Sequence, residues 1–368
     1  METIPLFKVH MPENVTLSLL KTLFSGFIGQ GEKVEEFERA LFPWLQSKNI
    51  LSLNNGTSGL HLAMKLAGVQ PGDEVISTPM TCMATNTPIV HAGAKIVWAD
   101  IIPDTGEIDP ASVENLITDK TRAIVCVHWG GYPCDLDVLN SFNIPVIEDA
   151  AHAFGATHKG QKIGSISDFT MFSFQAIKHI TTIDGGLLTC KSKSDYERGK
   201  LLRWYGISRE KNRELRCRDD VLEAGWKYHM SDISATIGLV QLGHVREILF
   251  KHWANANYYN IEFPKRKIKR VRPLSYKNNR CSAYWLYPVL VDDRASFIEF
   301  MKEKGVHTGQ VHARNDTHTC FKDHSETRVE LKGVKEFDDN QVSIPVGWWV
   351  TCPDRTKIMD AIEAFDKQ

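Results

Sequence analysis

Phe172-Ser173-Phe174-Gln175-Ala176-Ile177-Lys178-His179-Ile180-Thr181-Thr182 is the stretch on which the reading of this chain turns. About thirty residues before its lysine stands the acidic pair Glu148-Asp149, which closes the apolar run Ile144 to Ile147. A lysine flanked by small and hydroxyl residues, just past a strand, can form a Schiff base. A buried carboxylate such as Asp149, at the end of an apolar strand, can keep a pyridinium nitrogen protonated. Together they are the two protein groups that pyridoxal phosphate chemistry needs most. Taken by themselves, the same two residues fit a surface lysine and a helix-capping aspartate equally well.

A cofactor phosphate needs a cradle, and one candidate lies upstream. Asn54-Asn55-Gly56-Thr57-Ser58-Gly59 follows the short apolar stretch Ile50 to Leu53 and precedes Leu60, Met64 and Ala67 at helical spacing. Gly56 permits a tight turn, and Thr57 and Ser58 bring hydroxyls to a helix start whose partial positive charge favours a dianion. The same residues also make an ordinary helix cap.

Working outward, strand-like runs recur at Glu74 to Ser77, Lys95 to Ala99, Arg122 to Val127, Ile144 to Ile147, Asp168 to Phe174 and Gly186 to Cys190, with helical segments between most of them. This alternation predicts an α/β fold with a mainly parallel sheet sandwiched by helices. Ligands of such sheets gather beyond the carboxyl ends of the strands, where Asp149 and the cradle would lie. Lys33 to Phe42 reads as an amphipathic helix stopped by Pro43. From Ser231, the apolar residues Ile233, Ile237, Val240 and Ile248 predict one long helix to about Asn260. The expected division is a large domain over 1–260 and a smaller C-terminal α/β domain over 261–368, with Tyr284 to Val291 as a strand and Arg294 to Lys304 as a helix.

The 368 residues suffice for two such domains, and 42% apolar with 24% charged content is that of an ordinary globular chain. A net charge near −1 gives no electrostatic case for nucleic acid or anionic membrane, and the basic run from Lys265 to Arg272 reads as a solvated edge. No apolar run approaches a membrane span, and the start lacks the layout of a signal peptide. Eight cysteines occur without metal-type or redox-type pair spacing, so no metal is expected and a cytoplasmic location is.

Several ordered motifs add a resemblance. Asn55-Gly56-Thr57-Ser58-Gly59-Leu60-His61-Leu62-Ala63, Pro71-Gly72-Asp73-Glu74-Val75-Ile76, Glu148-Asp149-Ala150-Ala151-His152-Ala153-Phe154-Gly155-Ala156, Asp184-Gly185-Gly186 and Gly225-Trp226-Lys227-Tyr228 accompany the lysine stretch. With them the chain strongly resembles the DegT/DnrJ/EryC1/StrS nucleotide-sugar aminotransferases, from about Phe27 to the C-terminus. The resemblance implies the fold of the aspartate aminotransferase superfamily (fold type I) and pyridoxal 5′-phosphate as cofactor. It implies that Lys178 carries the cofactor and later moves protons as a free amine, that Asp149 pairs with the pyridine nitrogen, and that His152 approaches the phenolic oxygen. Gly56, Thr57, Ser58 and Ser173 would hold the phosphate. Lys227 would reach the phosphate in a neighbouring subunit, which makes the active form a homodimer with sites at its interface. The implied reaction takes an amino group from L-glutamate to a nucleotide-linked keto-sugar. Lys178-His179-Ile180-Thr181-Thr182 favours C4 of a 4-keto-6-deoxyhexose over C3, whose relatives tend to carry Lys-Asn-Leu-Gly there. A dehydratase of the same fold would have histidine in place of Lys178, and a non-catalytic relative would have lost Lys178 or Asp149.

Two departures stand out. Cys82 occupies a position where relatives usually stack an aromatic on the cofactor. Val311-His312-Ala313-Arg314-Asn315-Asp316 replaces a Pro- and His-containing loop near the substrate, and its His312 and Arg314 are candidates for a diphosphate or a sugar hydroxyl. Trp348 and Trp349 read as packing residues.

Overall fold

The computed structural model describes residues 3–209 and 220–368. Its first two helices are α1 (Val15–Leu23) and α2 (Glu32–Ala40). Pro43 does not simply end α2. It sits in the first turn of a further short helix, Phe42–Leu45, where its missing N–H costs nothing. Then follow β1 (Ile50–Leu53), α3 (Gly56–Leu66), β2 (Glu74–Ser77), α4 (Met83–His91), β3 (Lys95–Trp98), β4 (Thr121–Val127), β5 (Val146–Asp149), β6 (Phe169–Ser173) and β7 (Gly186–Cys190). The strand expected at Ile144 to Ile147 is thus displaced toward its acidic end.

These strands form one sheet in the order β1-β7-β6-β5-β4-β2-β3, extended at the β3 edge by a two-residue strand described below. β7 is antiparallel to both neighbours, and the remaining pairings are parallel. Successive residues of a strand point to opposite faces, and here both faces are dry. Ile76, Ile124 and Val146 enter the core that includes Val34 and Phe37 of α2. Val75, Val125 and Ile147 enter the other core, which includes Leu60 and Leu62 of α3. A helix layer on each side is what such strands require.

The single long helix expected after Ser231 is two: α5 (Asp232–Leu242) and α6 (Val245–Arg266), broken at Gly243 and His244. Glycine's low helix propensity makes this the weak point of the run. α6 then serves two cores, with Val245 in the first and Ala256, Tyr259 and Phe263 in a third. That third core is built on β8 (Val271–Pro273), β9 (Tyr287–Val291) and β11 (Gln341–Ile344), in the order β8-β9-β11, with α7 (Arg294–Glu303) and α8 (Cys352–Asp366). Ile4, from the N-terminal lead, packs there too, and the indoles of Trp348 and Trp349 donate to the carbonyls of Lys8 and Pro5. Between β9 and β11 the chain returns to the large sheet, pairing β10 (Ser325–Glu326) with β3. The basic edge is partly neutralised locally, Arg266 bonding Glu262, Asp360 and Glu363.

Candidate active site

Asp149 is the last residue of β5, and alternation along that strand gives the acidic pair two fates. Glu148 is fully buried and saturated: it receives His128 Nε2 at 2.7 Å, the Ser167 amide at 3.2 Å and the Thr170 hydroxyl at 2.9 Å. The Cys134 amide donates to His128 Nδ1, so His128 is the neutral tautomer that gives its one proton to Glu148. Glu148 is therefore a structural strut. Asp149 emerges at the carboxyl end of the sheet, only 5% exposed. Its Oδ2 accepts from the Thr85 hydroxyl at 2.7 Å and its Oδ1 from the Ala151 amide at 3.1 Å. Burial pushes its carboxyl above the usual range, against the pull of those two donors and of Lys178.

Lys178 follows β6 in a turn closed by its amide on the Gln175 carbonyl. Some of its side chain meets solvent, yet the amine is stripped of water, and this loss of hydration brings it down to about 7, only partly opposed by Asp149 and Cys82. Nζ lies 3.5 Å from the centre of the Trp285 indole. An amine that is half unprotonated at neutrality, beside a buried carboxylate, is what carbonyl condensation and proton shuttling require.

The cradle forms where β1 passes into α3. Asn55 caps the helix, its Oδ1 accepting from the Ser58 amide at 2.7 Å. The hydroxyls of Thr57 and Ser58 thus stand on a helix start whose first amides have no intrahelical acceptor. Ser173, at the end of β6, pairs with Gly186 at the start of β7. A Cβ at Gly186 would lie 2.7 Å from both the Asn55 carbonyl carbon and the Gly56 amide nitrogen, so only glycine lets β7 run this close under the helix start. The cap and the cradle are one object.

Two histidines complete the interior. The His152 ring lies against Trp285, 3.9 Å between centres and 19° between planes, and His312 lies parallel to His152 at 5.7 Å. Trp129 meets both edge-on. Burial holds His152 well below its ordinary value, and holds His312 at about 4 with Lys178 adding to the effect, so both rings are neutral at pH 7. His152 Nδ1 and His312 Nε2 are buried with no hydrogen-bond partner. Unpaired buried ring nitrogens beside a reactive amine fit a polar ligand such as the oxygen-rich ring of pyridoxal phosphate.

The other expected residues are less central. Cys82 caps α4 and lies within electrostatic reach of Lys178. Arg314 forms a bidentate pair with Asp316, at 2.8 and 2.6 Å, and would have to share it with any phosphate. Lys227 is exposed, bridged through its backbone to Trp204, with its carbonyl accepting from Asn54 beside the cradle. Thr85 and Trp285 went unnoticed in the sequence. Thr85 lies three residues after Cys82 with nothing local to mark it, and Trp285 carries no signal beyond lying in the strand-like stretch Tyr284 to Val291. Of the described residues, two groups cluster closely enough for a metal: Asp135, Asp137 and His158, whose carboxylates pair with Arg280 and Lys159, and Cys126, His128 and Cys134. Both ring nitrogens of His128 are already engaged, which leaves no ligand atom there.

The profile of the DegT/DnrJ/EryC1/StrS aminotransferase family matches residues 10–363. The chain is 32% identical to UDP-4-amino-4,6-dideoxy-N-acetyl-beta-L-altrosamine transaminase of Campylobacter jejuni, over 94% of this chain and 93% of that one. It is 36% identical to UDP-4-amino-4-deoxy-L-arabinose–oxoglutarate aminotransferase of Shewanella sediminis, over 70% and 68%. Among solved structures, the sugar aminotransferase CalS13 from Micromonospora echinospora superposes with a TM-score of 0.92 at 36% identity, covering 98% of this chain and 99% of that one. The chain belongs to this family, whose cofactor is pyridoxal phosphate, and it is a sugar aminotransferase of fold type I.

Proposed function

From that membership we propose that this enzyme transfers an amino group from L-glutamate to C4 of a nucleotide-linked 4-keto-6-deoxyhexose, in amino-sugar biosynthesis. The observation that carries the reading is the Lys178 amine, brought to about 7 and held with Asp149 beyond the carboxyl ends of β5 and β6. The 4-amino sugars in the names of the two relatives support the position on the sugar, and oxoglutarate in one of them supports glutamate as donor.

Pyridoxal phosphate, when bound, supplies an electron sink for the negative charge that develops on the substrate carbon. The protein's own groups do the rest. Asp149, dehydrated and acceptor-only, keeps a proton on the ring nitrogen. Thr57, Ser58 and Ser173 bind the phosphate at the start of α3. His152 offers a neutral ring to the phenolic oxygen without adding charge. Lys178 Nζ, once free, would take the proton from the donor's amino-bearing carbon and, in the second half of the reaction, give one to the sugar carbon that receives the amino group. His312, and Arg314 where Asp316 shares it, meet the sugar nucleotide.

The reading includes a homodimer in the cytoplasm. Phe24 and Phe27 are 84% and 78% exposed beside Leu23 and Ile28, an apolar patch that invites a partner. A cleft of about 1620 Å³ adjoins it, lined in part by Phe27, Phe42 and Trp204. The Lys227 backbone bridges to Trp204, one of the residues lining that cleft, which supports a role for Lys227 at the same face. No helix among the described residues is long and apolar enough to cross a membrane.

The test is the visible absorption of the purified protein with pyridoxal phosphate. A yellow band that L-glutamate converts, and that Lys178→Ala lacks, is expected. A band indifferent to glutamate would overturn the donor, and no band at all would overturn the site.

A further inference from the structure

Trp285 is held with unusual care. Its indole nitrogen donates to the Ile177 carbonyl at 2.9 Å, next to the lysine itself. The residue before it, Tyr284, sits in the left-handed region at φ 49°, a conformation that a bulky side chain rarely adopts. Both carbonyls of this turn are claimed by buried histidines. His179 Nε2 donates to Ala283 O at 3.0 Å, and His252 Nδ1 donates to Tyr284 O at 2.9 Å. The amides of Ala283 and Leu286 bond Gly131 O and Gly130 O, and Phe7 stacks on the indole at 5.2 Å. The strained turn is thus tied down on each side, and the indole it carries meets Lys178 Nζ.

We propose that Trp285 is a positioning residue for Lys178. Its π face seats the free amine, and the Ile177 and His179 contacts register that face against the lysine's own turn. The inference rests on Lys178 being the reactive amine. It gives the site an aromatic surface where Cys82 has none, on a different element and aimed at the protein's own amine. A ring face attracts an ammonium more than a neutral amine, so it also raises the amine's affinity for its proton. Dehydration pulls the other way and dominates, which is why the amine settles near neutrality and no lower. The titratable groups facing Nζ are Asp149, Cys82, His152, His179 and His312; of these, His152 also stacks on the indole at 3.9 Å, and its ring is neutral at pH 7.

The experiment uses cofactor-free protein, so its outcome is independent of the glutamate test. Trace acetic anhydride is applied across pH, and acetylation of the Lys178 peptide is read by mass spectrometry against an exposed lysine. Trp285→Leu keeps the site apolar and removes the π face; the apparent pKa of Lys178 should fall by about one unit. Trp285→Phe keeps a π face and loses the tether to Ile177, and should shift it by about half as much. The Phe variant also keeps the measurement available if the Leu variant does not fold. An unchanged or raised value in the Leu variant, or equal shifts in the two, would overturn the proposal.

Discussion

Replacing Thr85 with valine, nearly the same shape without the hydroxyl, asks whether Asp149 is a charge maintained at a cost. The carboxylate is buried and its Oδ2 takes the Thr85 proton at 2.7 Å. A hydrogen bond to a buried charge contributes about 1.5–3 kcal/mol, equivalent to about one to two pKa units. Because burial already lifts this carboxyl above its ordinary value of 3.8, the folded state holds the proton more tightly than the unfolded chain does. Below the unfolded value both states are protonated and the group costs nothing. As pH rises from there through the folded value, the unfolded state releases its proton more readily, stability declines, and the penalty is complete above the folded value. Thr85→Val lifts the folded value further, so its penalty should appear as pH rises. Valine also strands the buried Thr81 hydroxyl, which pairs with Thr85 at 2.8 Å, but that loss is independent of pH. Urea unfolding of the cofactor-free protein at pH 4 and pH 8 separates the two. The variant's deficit should be about 1.5–3 kcal/mol larger at pH 8. Repeating the pair on a Lys178→Met background removes the contribution of an amine that itself titrates near neutrality. Equal deficits at the two pH values would refute the idea that Asp149 is ionised with the help of Thr85.

If Lys227 serves the neighbouring subunit, Lys178→Ala and Lys227→Ala chains should complement one another. In the mixed dimer one site loses both lysines and the other keeps both, so activity should recover to about half that of wild type per mixed dimer on subunit exchange; no recovery would confine Lys227 to its own subunit. Gly186→Ala should push the start of α3 away from β7, costing about 1–3 kcal/mol of stability and raising the Kd for pyridoxal phosphate about tenfold by absorbance titration. Unchanged affinity would place the phosphate elsewhere.

What could be read in the chain itself was whatever has a local period or a local cap. Strands such as Glu74–Ser77 and Gly186–Cys190 are short apolar runs bounded by turns, and the start of α3 announces itself through Asn55 and the small residues after it. Lys178 and Asp149 were legible because each is fixed by the end of its own strand. The break at Gly243 was not, since apolar spacing continues across it and the change lies in which core each half meets. Nor was the edge strand Ser325–Glu326, whose two residues acquire strand character only from β3.

The most consequential parts of the site came from contacts between remote segments. Thr85 reaches Asp149 because α4 begins where β5 ends, and Trp285 reaches Lys178 across a separation in sequence of more than a hundred residues. His312 becomes a neighbour of His152 only when its loop folds back over the sheet, where Asn315 bonds Thr81 O and Asn86. Sequence period determines which face of an element is buried. Which side chain it then meets, how much water that side chain loses and so where its proton equilibrium lies are set by how the elements cross. Lys178 was visible as a lysine after a strand; that it is a half-protonated amine on an indole was decided by the tertiary structure.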